Sequence, residues 1–168
     1  MKTTQIGLPV QGSEQMADKL NTLLANFQVH YQNLRGLHWN LRGRDFFELH
    51  VKFEEYYNDA QVKIDDLAER ILTMGFTPKH AFSQYLEAAS IDAAQNVSKG
   101  DEGVAIVVNA LGILLSLERE ILTLAGDQGD DGTADMMTQF IAQQERTRRL
   151  VQSSQLSSSQ TRHYFPSR

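Results

Sequence analysis

Residues 35–75 read RGLHWNLRGRDFFELHVKFEEYYNDAQVKIDDLAERILTMG, and this stretch decides the fold. Gly43 interrupts a helical pattern, and Asp45 starts another as an N-cap. Glu48 follows three residues later, a variant of the capping box. Phe46, Leu49, Phe53, Tyr56, Ala60, Ile64, Leu67 and Ile71 then recur in steps of three and four, the signature of one buried helix face. Gly75 ends the run, with Pro78 just beyond, as expected past a helix C-terminus. The stretch therefore predicts a helical hairpin with His38 and His50 flanking its turn. Asp65 and Glu69, four apart, share a face far down the second helix.

Upstream, Ser13 is placed to cap a first helix that runs to about Asn40, with Met16, Leu20, Leu23, Phe27, Tyr31, Leu34 and Leu37 on its buried side. Downstream, residues 76–99 form a long connection in which FSQYLEAAS suits a short helix. Ser98 then caps a third helix, with Asp101 and Glu102 in its first turn, where the helix dipole favours acids. From Val104 to Leu124 this helix is apolar on most sides and is expected to be deeply buried. GDQGDDG reads as a loop, and Thr133 opens a fourth helix through Met136, Met137, Phe140 and Ile141. After Leu150 the run QSSQLSSSQ reads as a flexible segment.

The expected organisation is an N-terminal tail over 1–12, a bundle over 13–151 and a Ser/Gln-rich basic tail over 152–168. The fold class is all-α: a ferritin-like four-helix bundle with a short extra helix in the long connection after the second helix. A generic bundle or a helical interaction module is the alternative.

Composition narrows the chemistry. The chain of 168 residues has no cysteine, which excludes disulfides and thiolate metal sites. No apolar run is long enough to span a bilayer, and MKTTQIGLPVQG lacks the apolar core of a signal peptide. The expectation is a soluble cytoplasmic protein. Net charge is −5, unevenly spread: residues 1–145 hold 11 Lys and Arg against 21 acids, or −10, while the remainder carries five arginines and no acid. An acidic body with a basic tail suggests two kinds of partner.

Carboxylates with imidazoles suit iron, manganese or zinc. Fifteen residues separate His50 from Asp65 on one helix, about 22 Å at roughly 1.5 Å per residue, whereas metal–ligand bonds are about 2 Å. The histidines and the carboxylates of one chain therefore cannot hold one ion. Either they are unrelated, or two chains pack antiparallel and each completes the other's site, giving two equivalent composite sites in a twofold dimer. The Glu-x-x-His motif of ordinary ferritin bundles is absent, as is H-E-x-x-H.

His38-Trp39-Asn40, Gly43, His50, FEE at 53–55 and Asp65-x-x-Ala68-Glu69-Arg70 together resemble the Dps family, the DNA-binding proteins from starved cells, also called mini-ferritins. The resemblance covers about residues 14–145. It implies a ferroxidase site with His38 and His50 from one subunit and Asp65 and Glu69 from another, holding two irons. It implies a dodecamer built from twofold dimers, which oxidises Fe(II), usually with hydrogen peroxide, and stores ferric mineral in its hollow interior. Glu54, one turn after His50, either helps hold the second iron or is a solvated glutamate. Trp39 either intercepts one-electron oxidants or packs as a core aromatic. The resemblance implies that Asp131 and Asp135 line an acidic pore for iron; capping and complementing a helix N-terminus is the plainer role, and it is compatible with the first. At Glu145-Arg146-Thr147-Arg148-Arg149-Leu150 an arginine replaces the family's usual tryptophan, which bears on how the last helical turns pack. Some members bind DNA through basic tails; here Arg146, Arg148, Arg149, Arg162 and Arg168 are the candidate contacts. The competing functions are a nucleoid-compacting DNA binder with secondary or lost iron chemistry, and a helical scaffold with vestigial ligands.

Overall fold

The computed structural model describes the backbone of residues 3–161 and the side chains of residues 3–154. Five helices follow in order: α1 (Val10–Asn40), α2 (Phe46–Thr73), α3 (Phe82–Ala88), α4 (Gly100–Gln128) and α5 (Asp131–Thr161). Arg162 and Arg168 lie outside the described residues.

α1 and α2 form the antiparallel hairpin. Its turn carries Gly43 at φ +104°, a conformation that side-chain-bearing residues rarely adopt. α4 starts beside that turn: Arg42 N–H donates to the Ser98 carbonyl at 2.9 Å, and a side-chain carbon at Gly103 would meet Phe53 at 3.2 Å and Leu37 at 3.3 Å. α4 therefore runs in the same direction as α2, and residues 74–99 cross the length of the bundle between them. α5 returns antiparallel to α4, tied by Arg119–Glu145 and Gln144–Glu118. The result is a four-helix bundle with one crossover, the ferritin-like arrangement.

The core follows the predicted spacing. Met16, Leu20, Leu23, Phe27, Leu34, Leu37, Phe53, Ala60, Leu67 and Ile71 are buried, while Phe46, Leu49, Tyr56 and Ile64 are half-covered. Three buried asparagines on α1 hold the crossover. Asn21 accepts from Lys79 N–H at 2.7 Å. Asn26 accepts from Ser90 and Ile91 N–H at 2.9 and 3.0 Å. Asn33 accepts from Ala94 N–H at 2.9 Å and donates to the Asp92 carbonyl at 2.9 Å. Backbone groups of this largely irregular segment thus find partners in the buried α1 side chains.

Several sequence expectations are corrected. α1 begins at Val10, with non-helical Gln11 and Gly12 inside it; the Ser13 hydroxyl donates to the Pro9 carbonyl at 2.6 Å instead of capping. Asp45 stands at the N-cap of α2 but makes no capping bond, accepting instead from Arg44 at 3.2 Å. Lys99, not Ser98, precedes α4. GDQGDDG is mostly helical: α4 runs through Gln128, Gly129 ends it at φ +68°, and α5 starts at Asp131. Asp130 caps α5 by accepting from Thr133 N–H at 3.0 Å. α4 is buried on one face only, since Val108 and Ile113 are half-covered and Ala105 and Ser116 are exposed. At the far end, the α5 backbone stays helical through Thr161, so no break marks residue 151.

Candidate metal centre

His38 sits in the last turn of α1 and His50 in the second turn of α2. Antiparallel packing stacks their rings 3.7 Å apart at 18°. His38 Nδ1 donates to the His50 carbonyl at 2.8 Å, and His50 Nδ1 donates to the His38 carbonyl at 3.0 Å. A carbonyl oxygen only accepts, so each Nδ1 carries the proton. In the neutral rings the lone pair is then on Nε2, which leaves two nitrogens able to ligate a metal on rings fixed by reciprocal bonds. Phe46 stacks on His50 at 4.8 Å, and Tyr57 meets His38 edge-on at 5.5 Å. Burial and the neighbouring Glu54 carboxylate push the Tyr57 phenol above its ordinary pKa. Glu54 itself is exposed.

Trp39 is 58% exposed, so the core-aromatic reading is wrong. The Arg35 guanidinium lies 4.6 Å from its ring centroid and 5.4 Å from that of Tyr31. Tyr31 in turn packs edge-on to Tyr57 at 6.1 Å. Phe46 and Tyr57 thus border the histidines, Tyr31 packs behind Tyr57, and Arg35 links Tyr31 to Trp39. Of these Phe, Tyr and Trp side chains, only Trp39 stood out in the sequence, because aromatics at helical spacing read as ordinary core.

Asp65 and Glu69 are both exposed on α2. Among the described residues, no three His, Asp, Glu or Cys side chains of one chain are placed to hold a metal ion. The carboxylates lie on an outward stripe in steps of three and four: Phe47, Val51, Glu54, Asn58, Val62, Asp65, Glu69 and Leu72, every member exposed. Acids and large apolar residues share this stripe, with Phe47 at 85% exposure. The spacing predicts the acids' face; the apolar residues beside them belong to no single-chain core.

Arg70, next to Glu69, fixes this end of α2 to the start of α5. It donates to Asp130 at 2.5 Å and to the Thr133 hydroxyl at 3.0 Å. Gly132 lets the guanidinium in, since a side-chain carbon there would sit 3.1 Å from it. Capping therefore belongs to buried Asp130. Asp131 and Asp135 are exposed at the same end, and Asp135 accepts from Gln139 at 2.8 Å. Of the basic candidates, Arg146 and Arg149 are exposed, whereas Arg148 is half-buried against α4.

The interior of the bundle holds a polar layer instead of a ligand set. Buried Lys63 donates to Asp59 at 2.5 Å and to Gln143 at 2.7 Å. Glu118 accepts from Gln144, and burial pushes its carboxyl up to about 8. Burial pulls His30 down to about 4, with Asp59 partly offsetting the effect.

These features, a crossover bundle with paired histidines at its hairpin, define a ferritin-like protein, and the ferritin-like domain family matches residues 17–154. A crystal structure of the Dps protein from Vibrio cholerae O1, described as a member of a broad superfamily of ferritin-like diiron-carboxylate proteins, superposes with a TM-score of 0.89. It shows 48% sequence identity, over 91% of this chain and 96% of that one. The DNA protection during starvation protein of Porphyromonas gingivalis is 41% identical over 140 residues, 83% of this chain and 88% of its own. An uncharacterised protein of Haemophilus influenzae is 47% identical over 146 residues, 87% of this chain and 91% of its own. The chain belongs to the Dps family of ferritin-like proteins.

Proposed function

We propose that this chain is a ferroxidase and iron-storage protein whose sites are shared between two copies. The observation that carries the reading is the separation on α2: preorganised imidazoles at one end, and unengaged carboxylates on an exposed, partly apolar stripe at the other. An antiparallel copy related by a twofold axis reconciles them. The point halfway between positions 50 and 65 falls between Tyr57 and Asn58. An axis crossing α2 there sets each His50 level with the partner's Asp65, and brings each Val51 near the level of the partner's Val62.

Each composite site then offers the Nε2 atoms of His38 and His50 with the partner's Asp65 and Glu69, and Glu54 beside them for a second iron. The carboxylates favour the ferric over the ferrous ion, because the harder and more charged ion gains more from them. Two Fe(II) ions give one electron each to one hydrogen peroxide; its O–O bond breaks and two hydroxides leave, so no hydroxyl radical is released. Exposed Trp39, next in sequence to His38, intercepts one-electron oxidants that escape this pairing. Twelve copies enclose the ferric product, Asp131 and Asp135 line its entry pore, and the protein works in the cytoplasm against oxidative damage. Among the described residues, no helix is long and apolar enough to cross a membrane.

Sizing the particle and following Fe(II) oxidation with peroxide against dioxygen tests the reading. The expected result is a large assembly that consumes about one peroxide per two irons, faster than it uses dioxygen. A lone subunit that still oxidises iron contradicts it.

The exposed Arg146 and Arg149, with the name of the Porphyromonas gingivalis relative, favour a second reading. In it, the basic end of the chain, including Arg148, Arg162 and Arg168, holds DNA and compacts the nucleoid. Retention of duplex DNA in a low-salt gel shift supports that reading, and no retention removes it.

A further inference from the structure

Deep in the bundle, one polar layer draws on all four long helices: His30 of α1, Asp59 and Lys63 of α2, Glu118 of α4, and Gln143 and Gln144 of α5. Inward carboxylates and imidazoles on facing helices are what bundles use to build a metal centre. The donor types are present here: an imidazole, two carboxyl groups and two amide oxygens. Two of the oxygens, Glu118 Oε2 and Gln144 Oε1, are buried with no hydrogen-bond partner among the described residues. The layer is not sealed from solvent either. A cleft of about 210 Å³ enters between α2 and α5, with exposed Glu55, Asp59 and Gln143 on its outer part and buried His30 and Gln144 on its inner part.

What distinguishes the layer is a cation of its own. Lys63 is 3% exposed. Its ammonium donates to Asp59 Oδ2 at 2.5 Å and to Gln143 Oε1 at 2.7 Å, and lies 5.3 Å from the Phe140 ring centroid. Gln143 donates in turn to Asp59 Oδ1 at 2.7 Å, so both oxygens of that carboxylate are engaged. The Lys63 charge also reaches His30 and Glu118, disfavouring the proton on each. Apolar side chains would fill the same space without the cost of desolvating an ammonium. The charge therefore calls for a reason beyond packing.

We propose that Lys63 is a fixed internal cation that bars divalent metal from the bundle, and that the side chains around it are a latent metal site which opens when the ammonium is removed. A dication beside Lys63 is repelled where little water screens the charges. The nearest oxygen ligands, on Asp59 and Gln143, are already held by the ammonium. With Lys63 in place, no three His, Asp or Glu side chains of the chain converge on one ion, among the described residues. Without it, Asp59 and His30 are left on the cleft as a carboxylate–imidazole pair, with water to complete the shell. Such donors suit Co(II), Zn(II) or Fe(II). The proposal concerns the interior alone, and it does not depend on the shared-site reading above.

The test uses the full chain carrying His50→Ala and Asp65→Ala, so that the candidate seam ligands do not contribute. To this parent are added Lys63→Ala, Lys63→Arg, or Lys63→Ala together with His30→Ala. Co(II) binding is read by equilibrium dialysis and by the visible absorption of the bound ion, and helicity by circular dichroism. Lys63→Ala is expected to take up about one Co(II) per chain, about tenfold or more tighter than the parent or Lys63→Arg. Adding His30→Ala should abolish that gain. Should Lys63→Ala fail to fold by itself, refolding with Co(II) present decides, because an ion that binds only the folded chain restores it. A folded Lys63→Ala chain that binds no more Co(II) than its parent overturns the proposal. So does a gain that survives His30→Ala, and so does an unfolded Lys63→Ala chain that Co(II) does not recover.

Discussion

The two ends of α2 are built differently. At the His50 end, each ring is held by a hydrogen bond to the other helix of the hairpin and by aromatic neighbours, so ring position and tautomer are set within one chain. At the Asp65 end, two carboxylates stand exposed, and only their helix is fixed, by the Arg70 clasp to α5. On the proposed reading these are a rigid half and a solvated half of one site, some 22 Å apart along one helix, the second half being needed only against another copy. The difference teaches that one chain preorganises the imidazoles but not the acids, which on the proposed reading are organised by association.

That contrast can be broken from either end. The largest effect is expected from Asp65→Ala. Groups behind a metal ligand are worth roughly 10- to 100-fold, so loss of the ligand itself should lower peroxide-dependent Fe(II) oxidation by more than that, with the assembly's mass unchanged. A drop below threefold would remove Asp65 from the site. Next comes Asn58→Arg, which sets two cations against each other at the expected axis. Light scattering should show pairs lost and oxidation lost with them; an intact pair would move the axis elsewhere.

Smaller effects sharpen the contrast by testing the scaffold. Asn26→Ala leaves the Ser90 and Ile91 N–H groups without their acceptor. It should cost about 1–3 kcal/mol in chemical denaturation and leave the initial oxidation rate alone. A rate that fell with stability would tie the crossover to the site. The interior layer gives a pH test. Glu118 holds its proton up to about 8 in the folded chain, against an ordinary value of 4.5. The native state therefore binds the extra proton between those values, and stability from this group falls as pH rises through the window. Glu118→Gln removes that slope, so its melting temperature should exceed the wild type's by a margin that widens from pH 5 to pH 8. His30, lowered to about 4, acts in the opposite sense: stability is lost as pH falls below 6.5. A constant margin across pH would contradict the protonated Glu118.

Long apolar periodicity made α1 and α2 legible, because Leu20, Phe27, Phe53 and Leu67 report burial without needing to know their neighbours. Helix ends were harder to read. Ser13 and Ser98 have capping chemistry, but the Ser13 hydroxyl bonds the Pro9 carbonyl and Lys99 takes the N-cap position of α4, while Asp130 caps α5 from a stretch that resembles a loop. The Ser/Gln run stays helical through Thr161 because it contains no residue that forbids a helix. In the site, the histidine pair and the face carrying Asp65 and Glu69 could be placed from spacing alone. Tyr57, Arg35, Lys63 and the α1 asparagines could not. Each has its meaning only through a partner distant in the chain, and nothing local marks a polar residue as stapled instead of solvated.

The central claim, that one working site draws on two chains, is tested most directly by mixing two dead variants. His50→Ala and Asp65→Ala chains are each expected to be inactive alone. Unfolded together and refolded at equal amounts, half the pairs are mixed, and each mixed pair regains one complete site of its two. Oxidation should return to about a quarter of the wild-type rate. Activity that stays at the level of the separate variants would mean that His50 and Asp65 never meet across the seam.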